Sequence, residues 1–242
     1  MWTSLMIFFS FVLLAIVFAR RWILFFKKPR KKTAVAAMAE AEKPKKIKRV
    51  GKKDLEKAVA LCHRADALIK TGKDDDAIKC LVQALSLNPA DVEAQQKLAM
   101  LYLQKQMFSA AAVLFKQLGE VTGDPVHFSH LGLSLYQAGE LGAARDAYQK
   151  AVSLDDSRPA RFISLAHVYR AIGQPYNAIA AANKAVEKEP ENLDFLFLLA
   201  DLHMELENWA DAAHVLKKIL EIDKKNKEAK KLLRLAEKQR GA

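Results

Sequence analysis

The stretch FSHLGLSLYQAGELGAARDAYQKAV, residues 128–152, decides the fold of this chain. Its first nine residues place apolar side chains three and four positions apart, which is the spacing of one face of an α-helix. Gly139 follows, where a helix commonly ends, and a second segment with the same periodicity then runs to Val152. The stretch therefore predicts two consecutive helices joined by a short turn.

This pattern recurs along the chain with a period of 33 or 34 residues. Each period carries an alanine at one place in its second helix, at Ala77, Ala111, Ala144, Ala178 and Ala212. Four residues later comes a residue for the core, at Leu81, Phe115, Tyr148, Ala182 and Leu216. The first helices carry further small residues at Ala99, Gly132, Ala166 and Ala200. Because small residues let helices approach closely, this period predicts helix pairs stacked into a solenoid.

The repeated unit resembles the tetratricopeptide repeat family. The family pattern has an aromatic residue, Leu-Gly and Tyr in the first helix, and Ala, an aromatic residue, Ala and Pro in and after the second. The third unit matches it at Phe128, Leu131, Gly132, Gly139, Ala144, Tyr148 and Ala151. The fourth unit matches it at Phe162, Leu165, Ala166, Tyr169, Gly173, Ala178, Ala185 and Pro190. The resemblance implies an all-α fold, a right-handed α-solenoid of about five helix pairs.

The resemblance also implies the boundaries of the repeats. The array is placed at 54–226, with repeats at about 58–91, 92–124, 125–158, 159–192 and 193–226. Residues 227–242 are predicted as a capping helix and tail, with Leu232, Leu233 and Ala236 on one face. The outer repeats depart from the pattern, as is typical of solenoid ends: Arg64 replaces a Leu, Glu207 the turn Gly, and Lys224 the final Pro.

The first nineteen residues contain no charged side chain. As a helix they would extend about 28 Å, close to the roughly 30 Å thickness of the bilayer hydrocarbon. Residues 1–26 are therefore predicted as a single transmembrane helix with an interfacial flank. A cleaved signal peptide is the alternative, but no basic residue precedes the apolar run, and the basic stretch RRWILFFKKPRKK follows it at 20–32.

Positive charge is concentrated directly after this apolar run. Residues 20–53 hold fourteen Lys and Arg against two Glu, an excess of twelve, whereas the whole chain has a net charge of +11. The remainder is therefore nearly neutral. Since basic flanks stay on the cytosolic side, the N-terminus is expected outside and the repeats in the cytosol. The bacterial inner membrane is the favoured location, and the mitochondrial outer membrane is the alternative.

Residues 27–53 are predicted as a flexible linker, because they lack apolar periodicity and their like charges repel one another. A basic segment beside a membrane span attracts anionic lipid. The residues expected at the membrane surface are Arg20, Arg21, Lys27, Lys28, Arg30, Lys31 and Lys32. The segment has no interleaved aromatic residues and no recognition fold, so a nucleic-acid partner is not expected.

The sequence lacks the patterns that catalysis, cofactors or metals require. Cys62 and Cys80 form no CxxC pair and are too few for a disulfide framework. The Lys73 region lacks the upstream Gly of a phosphate-binding loop. His127 and His130 share a helix face but have no third ligand nearby in sequence. We therefore expect neither an enzyme nor a cofactor, a metal or a small-molecule substrate.

The resemblance further implies where a partner would bind. In this family the first helices line a concave groove, and the residues not needed for packing point into it. The groove residues implied here are Gln96, Met100, Leu103, Ser129, Leu133, Tyr136, Ile163, His167, Arg170, Phe197, Asp201 and Met204, with Cys62, Asp66 and Ile69 added by the first repeat.

The chemistry of these positions narrows the expected partner. Members that clamp the C-terminal carboxylates of heat-shock chaperones carry Lys, Asn and Arg in the groove. The matching positions here are Cys62, Asp66, Met100, Ser129 and Leu133. An extended or amphipathic helical protein segment held by apolar anchors is therefore expected. The function expected is a membrane-tethered scaffold or adaptor. An import receptor and a non-catalytic subunit of a membrane enzyme are the alternatives.

Overall fold

The computed structural model describes residues 51–241, which form eleven α-helices and no strand. The predicted anchor at 1–26 and the predicted linker up to residue 50 lie outside this range. The helices are α1 (Lys52–Lys70), α2 (Asp74–Leu87), α3 (Val92–Gln104), α4 (Phe108–Thr122), α5 (Pro125–Gln137), α6 (Leu141–Leu154), α7 (Pro159–Ala171), α8 (Pro175–Lys188), α9 (Leu193–Glu205), α10 (Trp209–Ile222) and α11 (Lys227–Arg240).

Each helix packs on the next one in the chain. The first ten form five pairs, α1–α2, α3–α4, α5–α6, α7–α8 and α9–α10, and α11 packs on α10. We call the earlier helix of each pair its first helix and the later one its second helix. The prediction of an all-α helix-pair solenoid is confirmed.

The starts of the helices follow from local sequence. The side chains of Asp91, Asp124, Asn192 and Asn226 each accept a hydrogen bond from a backbone N–H in the first turn of α3, α5, α9 and α11. A proline occupies the start of α5, α7 and α8. The first backbone N–H groups of a helix have no partner inside it. A capping side chain accepts a hydrogen bond from one of them, and a proline at the first position has no N–H to leave unpaired.

The repeated small residues lie at the helix contacts, as the sequence predicts. Ala77, Ala111, Ala144, Ala178 and Ala212 are fully buried, and so are Ala99, Ala166 and Ala200. Gly132 is buried on α5 against the ring of Tyr148 on α6. The buried side chains form two clusters, one from the first repeat into the start of the second and one from Ala99 to α11, and the half-buried Tyr102 and Leu114 pack against both.

The turns within the pairs share one backbone conformation. Gly72, Gly139 and Gly173 have positive φ angles of 71°, 78° and 73°. Gln106 and Glu207 occupy the matching turns of the second and fifth repeats with φ of 58° and 57°. Glu207 therefore differs from the family pattern in residue type but not in backbone conformation, since the left-handed turn is retained there. Residues with a Cβ adopt this conformation at a cost.

We expect Glu207→Gly to stabilise the array by about 1 kcal/mol, because glycine removes the Cβ penalty of the left-handed turn. Ala180→Gly is the matched control, since Ala180 is exposed in the middle of α8, where glycine in place of alanine destabilises a helix by roughly 0.5–1 kcal/mol. Thermal unfolding of the two variants should shift Tm in opposite directions. A lower Tm for Glu207→Gly would contradict this explanation of the turn.

The two ends of the array differ from its middle. Arg64 is exposed on α1, whereas the residues at its position in the later repeats, Leu98, Leu131, Leu165 and Leu199, are buried. A polar residue fits here because no helix of residues 51–241 precedes α1. At the other end, α11 buries Ala229 and Ala236.

One boundary needs correction. The linker was predicted to extend to residue 53, but α1 begins at Lys52, so residues 52 and 53 are helical. The first repeat was predicted to start at about residue 58, so α1 begins six residues before that point. Within residues 51–241, no helix combines the length and the apolar character that a membrane span requires.

A candidate partner-binding groove

The candidate site is a row of side chains on the first helices α3, α5, α7 and α9. Each helix contributes three of the twelve predicted groove residues, at positions that recur every 33 or 34 residues. None of the twelve is buried. Because the same helix face recurs in each repeat, these residues form one surface along the array, which we call the groove.

The groove has an apolar floor that is also part of the packed structure. Its large apolar residues are half-buried and pack against the core, namely Leu103, Leu133, Tyr136, Ile163, Phe197 and Met204. The exposed members are Gln96, Met100, His167, Arg170 and Asp201. Met100 keeps 39% of its surface exposed. The groove therefore offers side chains that packing already holds in place, next to one flexible exposed methionine.

At the first-repeat end of the groove, an ion pair connects α1 to α3. Cys62, Asp66 and Ile69 on α1 are half-buried. The ammonium of Lys97 on α3 lies 2.6 Å from the Asp66 carboxylate and 2.8 Å from that of Glu93. Burial, followed by the nearby carboxylates, raises the pKa of the Cys62 thiol. This thiol stays protonated near neutral pH, so it is a poor nucleophile.

The opposite end of the groove carries an acidic group of residues. Arg170 on α7 was predicted to face a bound partner, but it forms an ion pair with Glu205 on α9. Its positive charge is therefore balanced within the array. Burial raises the pKa of Asp201, and the carboxylates of Glu205 and Glu228 add to this effect while Arg170 opposes it. Glu205 and Glu228 were not predicted from the sequence to belong to the groove. Glu228 comes from α11, whose packing the repeat period does not define.

Ser129 in the middle of the groove belongs to a half-buried polar cluster around Arg161, which was not predicted from the sequence. Arg161 on α7 is only 5% exposed. Its Nε donates to the Ser129 hydroxyl over 3.3 Å, and its Nη1 donates to the carboxylate and backbone carbonyl of Asp155. Hydrogen bonds from Ser157 and Arg161 hold the pKa of Asp155 well below its usual range. Ser129 is thus held by the protein, and nothing in the sequence signalled a buried arginine.

The two histidines of α5 have packing roles. The Thr122 hydroxyl and Nδ1 of His127 form a hydrogen bond of 2.9 Å across the junction of the second and third repeats. The ring of His130 stacks on Phe115, with 5.0 Å between the ring centroids. Burial, with a smaller contribution from His127, lowers the pKa of His130. Both side chains therefore join repeats.

Comparison with protein families identifies the repeats. Family models described as tetratricopeptide repeat or TPR repeat match residues 65–106, 128–158 and 173–236. The repeats of this chain are tetratricopeptide repeats (TPRs). A curated relative, tetratricopeptide repeat protein 34 of the mouse, is 32% identical over 130 residues. That match covers 53% of this chain and 23% of the relative, so the chain spans about a quarter of the relative's length.

Solved TPR structures share the fold. A crystal structure of MamA is 23% identical, covers 72% of this chain and 95% of its own, and superposes with a TM-score of 0.66. YrrB, described as a TPR protein with an unusual peptide-binding site, is 20% identical, with coverages of 77% and 94% and a TM-score of 0.63. At such identities these similarities establish the fold alone.

Proposed function

We propose that this TPR protein is a non-catalytic, membrane-tethered scaffold that holds segments of partner proteins in its groove. A TPR array is suited to protein–protein interaction because it presents one extended surface built from repeated helix faces. The observation that carries the proposal is the apolar floor of the groove, where large side chains remain half-exposed on consecutive first helices. Exposed apolar surface of this kind usually marks a binding site.

The chemistry of the groove favours an extended or amphipathic helical segment. Tyr136, Phe197 and Met100 are the proposed anchors, since aromatic and flexible apolar side chains dominate the energetics of most interfaces. The peptide-binding site described for YrrB is in keeping with a peptide partner. The positively charged clamp for chaperone carboxylates is missing at the matching positions, so recognition through apolar anchors is the simpler explanation.

The membrane tether is proposed from the sequence of residues 1–53. An uncharged run of nineteen residues precedes a segment with an excess of twelve positive charges. Each Lys or Arg near an anionic bilayer contributes about 1 kcal/mol, so the linker would stay close to the membrane surface. The groove would then act on partners at the cytosolic face.

This orientation is testable by protease protection. Because all the basic charge lies on the C-terminal side of the apolar run, protease added to intact cells should spare residues 51–241. Permeabilised cells serve as the control, and there the repeats should be digested. Digestion of the repeats in intact cells would overturn the proposed orientation.

The same features also favour a second function. An N-terminal anchor, a basic linker and cytosolic TPRs are similar to the architecture of mitochondrial outer-membrane import receptors. A receptor would contact many precursor proteins briefly, whereas a scaffold would retain a few stable partners. Proximity labelling in the native host, followed by capture on the repeats, separates the two. We expect a small set of stably retained proteins. Capture of many precursors would favour the receptor, and no capture would contradict both.

A further inference from the structure

A cleft of about 410 Å³ opens on the array away from the groove. It lies between the second helices α8 and α10, with α9 beneath it. Val186, Leu196, Leu199 and Val215 provide its apolar lining. None of the twelve groove residues lines it. A segment bound in the groove would therefore leave this cleft open.

The preceding repeat junction explains why the cleft is there. At that junction the hydroxyl of Tyr169 accepts a hydrogen bond of 2.7 Å from the side-chain amide of Gln149, which joins α6 to α7. One period later, His203 stands in place of Tyr169 and Asn183 in place of Gln149. Both are shorter, and both line the cleft. The cleft therefore lies at the place that, one repeat earlier, is filled by the phenol ring of Tyr169 and its hydrogen bond with Gln149.

Leu196 enlarges the same cleft, because it replaces Phe162 of the preceding repeat. Leu196 is buried at the cleft and lacks the ring that Phe162 has, so this replacement also favours an open cleft. Together the three replacements remove one phenyl ring at Leu196, the difference between a phenol and an imidazole at His203, and one methylene at Asn183. The lining that remains is apolar at Val186, Leu196, Leu199 and Val215, and polar at Asn183, His203, Asp211, His214 and Lys218.

His203 carries a polar atom that has no partner. Its side chain is only 13% exposed, and its Nδ1 is buried without a hydrogen bond among residues 51–241. The nearest acidic oxygen, Oδ2 of Asp211, is 3.9 Å away, beyond hydrogen-bond range. Leaving such an atom unpaired is costly. Burial lowers the pKa of His203 although Asp211 opposes this, so the ring is neutral near pH 7. Because Nδ1 is enclosed by protein on the side of Asp211, Nε2 is the ring nitrogen left to accept a hydrogen bond from a group in the cleft.

We propose that the cleft binds a hydroxyl-bearing aromatic group, such as the side chain of a tyrosine from a partner protein. The ring lies on Leu196, Leu199 and Val215. Its hydroxyl accepts a hydrogen bond from the Asn183 amide, as Tyr169 does from Gln149, and donates one to Nε2 of His203. The bound group thereby restores the arrangement that the protein itself provides at the preceding junction.

The test uses the full-length chain with labelled methyl groups and three probes: N-acetyltyrosinamide, N-acetylphenylalaninamide and N-acetylleucinamide. The methyl resonances of Val186, Leu196, Leu199 and Val215 report binding by NMR. We expect the tyrosine probe to bind at least fivefold more tightly than the phenylalanine probe, and the leucine probe to give no saturable shift. Equal binding of all three probes would overturn the proposal.

Two variants sharpen the test. His203→Tyr fills the cleft from within, so it should raise Tm and abolish the shifts caused by the tyrosine probe. His203→Leu keeps the cleft open but removes the acceptor, so it should bind the tyrosine and phenylalanine probes equally. Tyr176→Ala is the control, since Tyr176 is 74% exposed and lines neither the groove nor the cleft, and it should leave tyrosine-probe binding unchanged. Unaltered binding to His203→Tyr, or a retained preference for tyrosine in His203→Leu, would overturn the assignment.

A fourth probe separates the sources of the aromatic group. p-Cresol carries the same phenol without a peptide backbone. Tighter binding of the tyrosine amide than of p-cresol assigns the cleft to a tyrosine presented by a protein. The reverse order assigns it to a small phenolic ligand, and absence of binding by both phenols overturns the proposal.

Discussion

Replacing Gly132 with Leu is expected to destabilise the TPR array by about 3 kcal/mol, the upper part of the range for overpacked cores. A Cβ placed at residue 132 would come within 2.7–2.8 Å of three ring carbons of Tyr148, a distance that real Cβ atoms essentially never show. Tyr148 is itself buried in the core, so its ring has little room to move away. Thermal or denaturant unfolding measures the loss.

Gly142→Leu provides the matched control for this prediction. Gly142 is also helical, near the start of α6, but a Cβ there meets nothing within 4 Å. Since leucine has a higher helix propensity than glycine, this variant should be as stable as the natural chain or slightly more so. Equal losses of stability in the two variants would contradict the repeat packing described for α5 and α6.

Replacing Tyr136 and Phe197 together with Ala is expected to weaken partner binding by about 2 kcal/mol or more, roughly 30-fold in Kd. Both side chains lie in the floor of the groove, and large aromatic anchors dominate most interfaces. The charged groups Arg170 and Asp201 should contribute less, because exposed charges are screened by salt. Binding of a partner identified by proximity labelling to the purified protein measures the change.

This double variant needs a control for folding, since both side chains also pack against the core. Its unfolding must therefore be measured alongside its binding. Tyr176→Ala removes an aromatic residue that is 74% exposed at the start of α8, outside the groove, and should leave binding unchanged. If the double variant binds as tightly as the natural chain while removal of the basic linker abolishes binding, electrostatic attraction by the linker replaces the groove as the explanation.

The fold was predictable because its determinants recur in the sequence. The alanines such as Ala111 and Ala144 are fully buried between packed helices, where a larger residue would overpack the core. That requirement repeats every 33 or 34 residues and can be seen without a structure. The left-handed turn at Gln106 was less visible, since a non-glycine residue gives no local signal of positive φ.

The polar contacts could not be predicted, because they join residues that the repeat period does not relate. Arg161 reaches back to Asp155 in the preceding turn and to Ser129 on α5, and this depends on the exact path of the chain between α6 and α7. Glu228 approaches Asp201 only because α11 packs on α10. The sequence does show that His203 replaces the Tyr169 of the preceding repeat. The resulting cleft could not be predicted from this change alone, because the hydrogen bond between Tyr169 and Gln149 is visible only in the structure.

Site-specific photo-crosslinking tests the central claim most directly. A photoreactive residue is placed at Met100, which is exposed in the groove, or at Val121, which is 72% exposed at the end of the second helix α4. If partners bind in the groove, the protein identified by proximity labelling should crosslink from position 100 and not from position 121. Crosslinking from position 121 alone, or equally from both positions, would contradict the claim that the groove is the binding site.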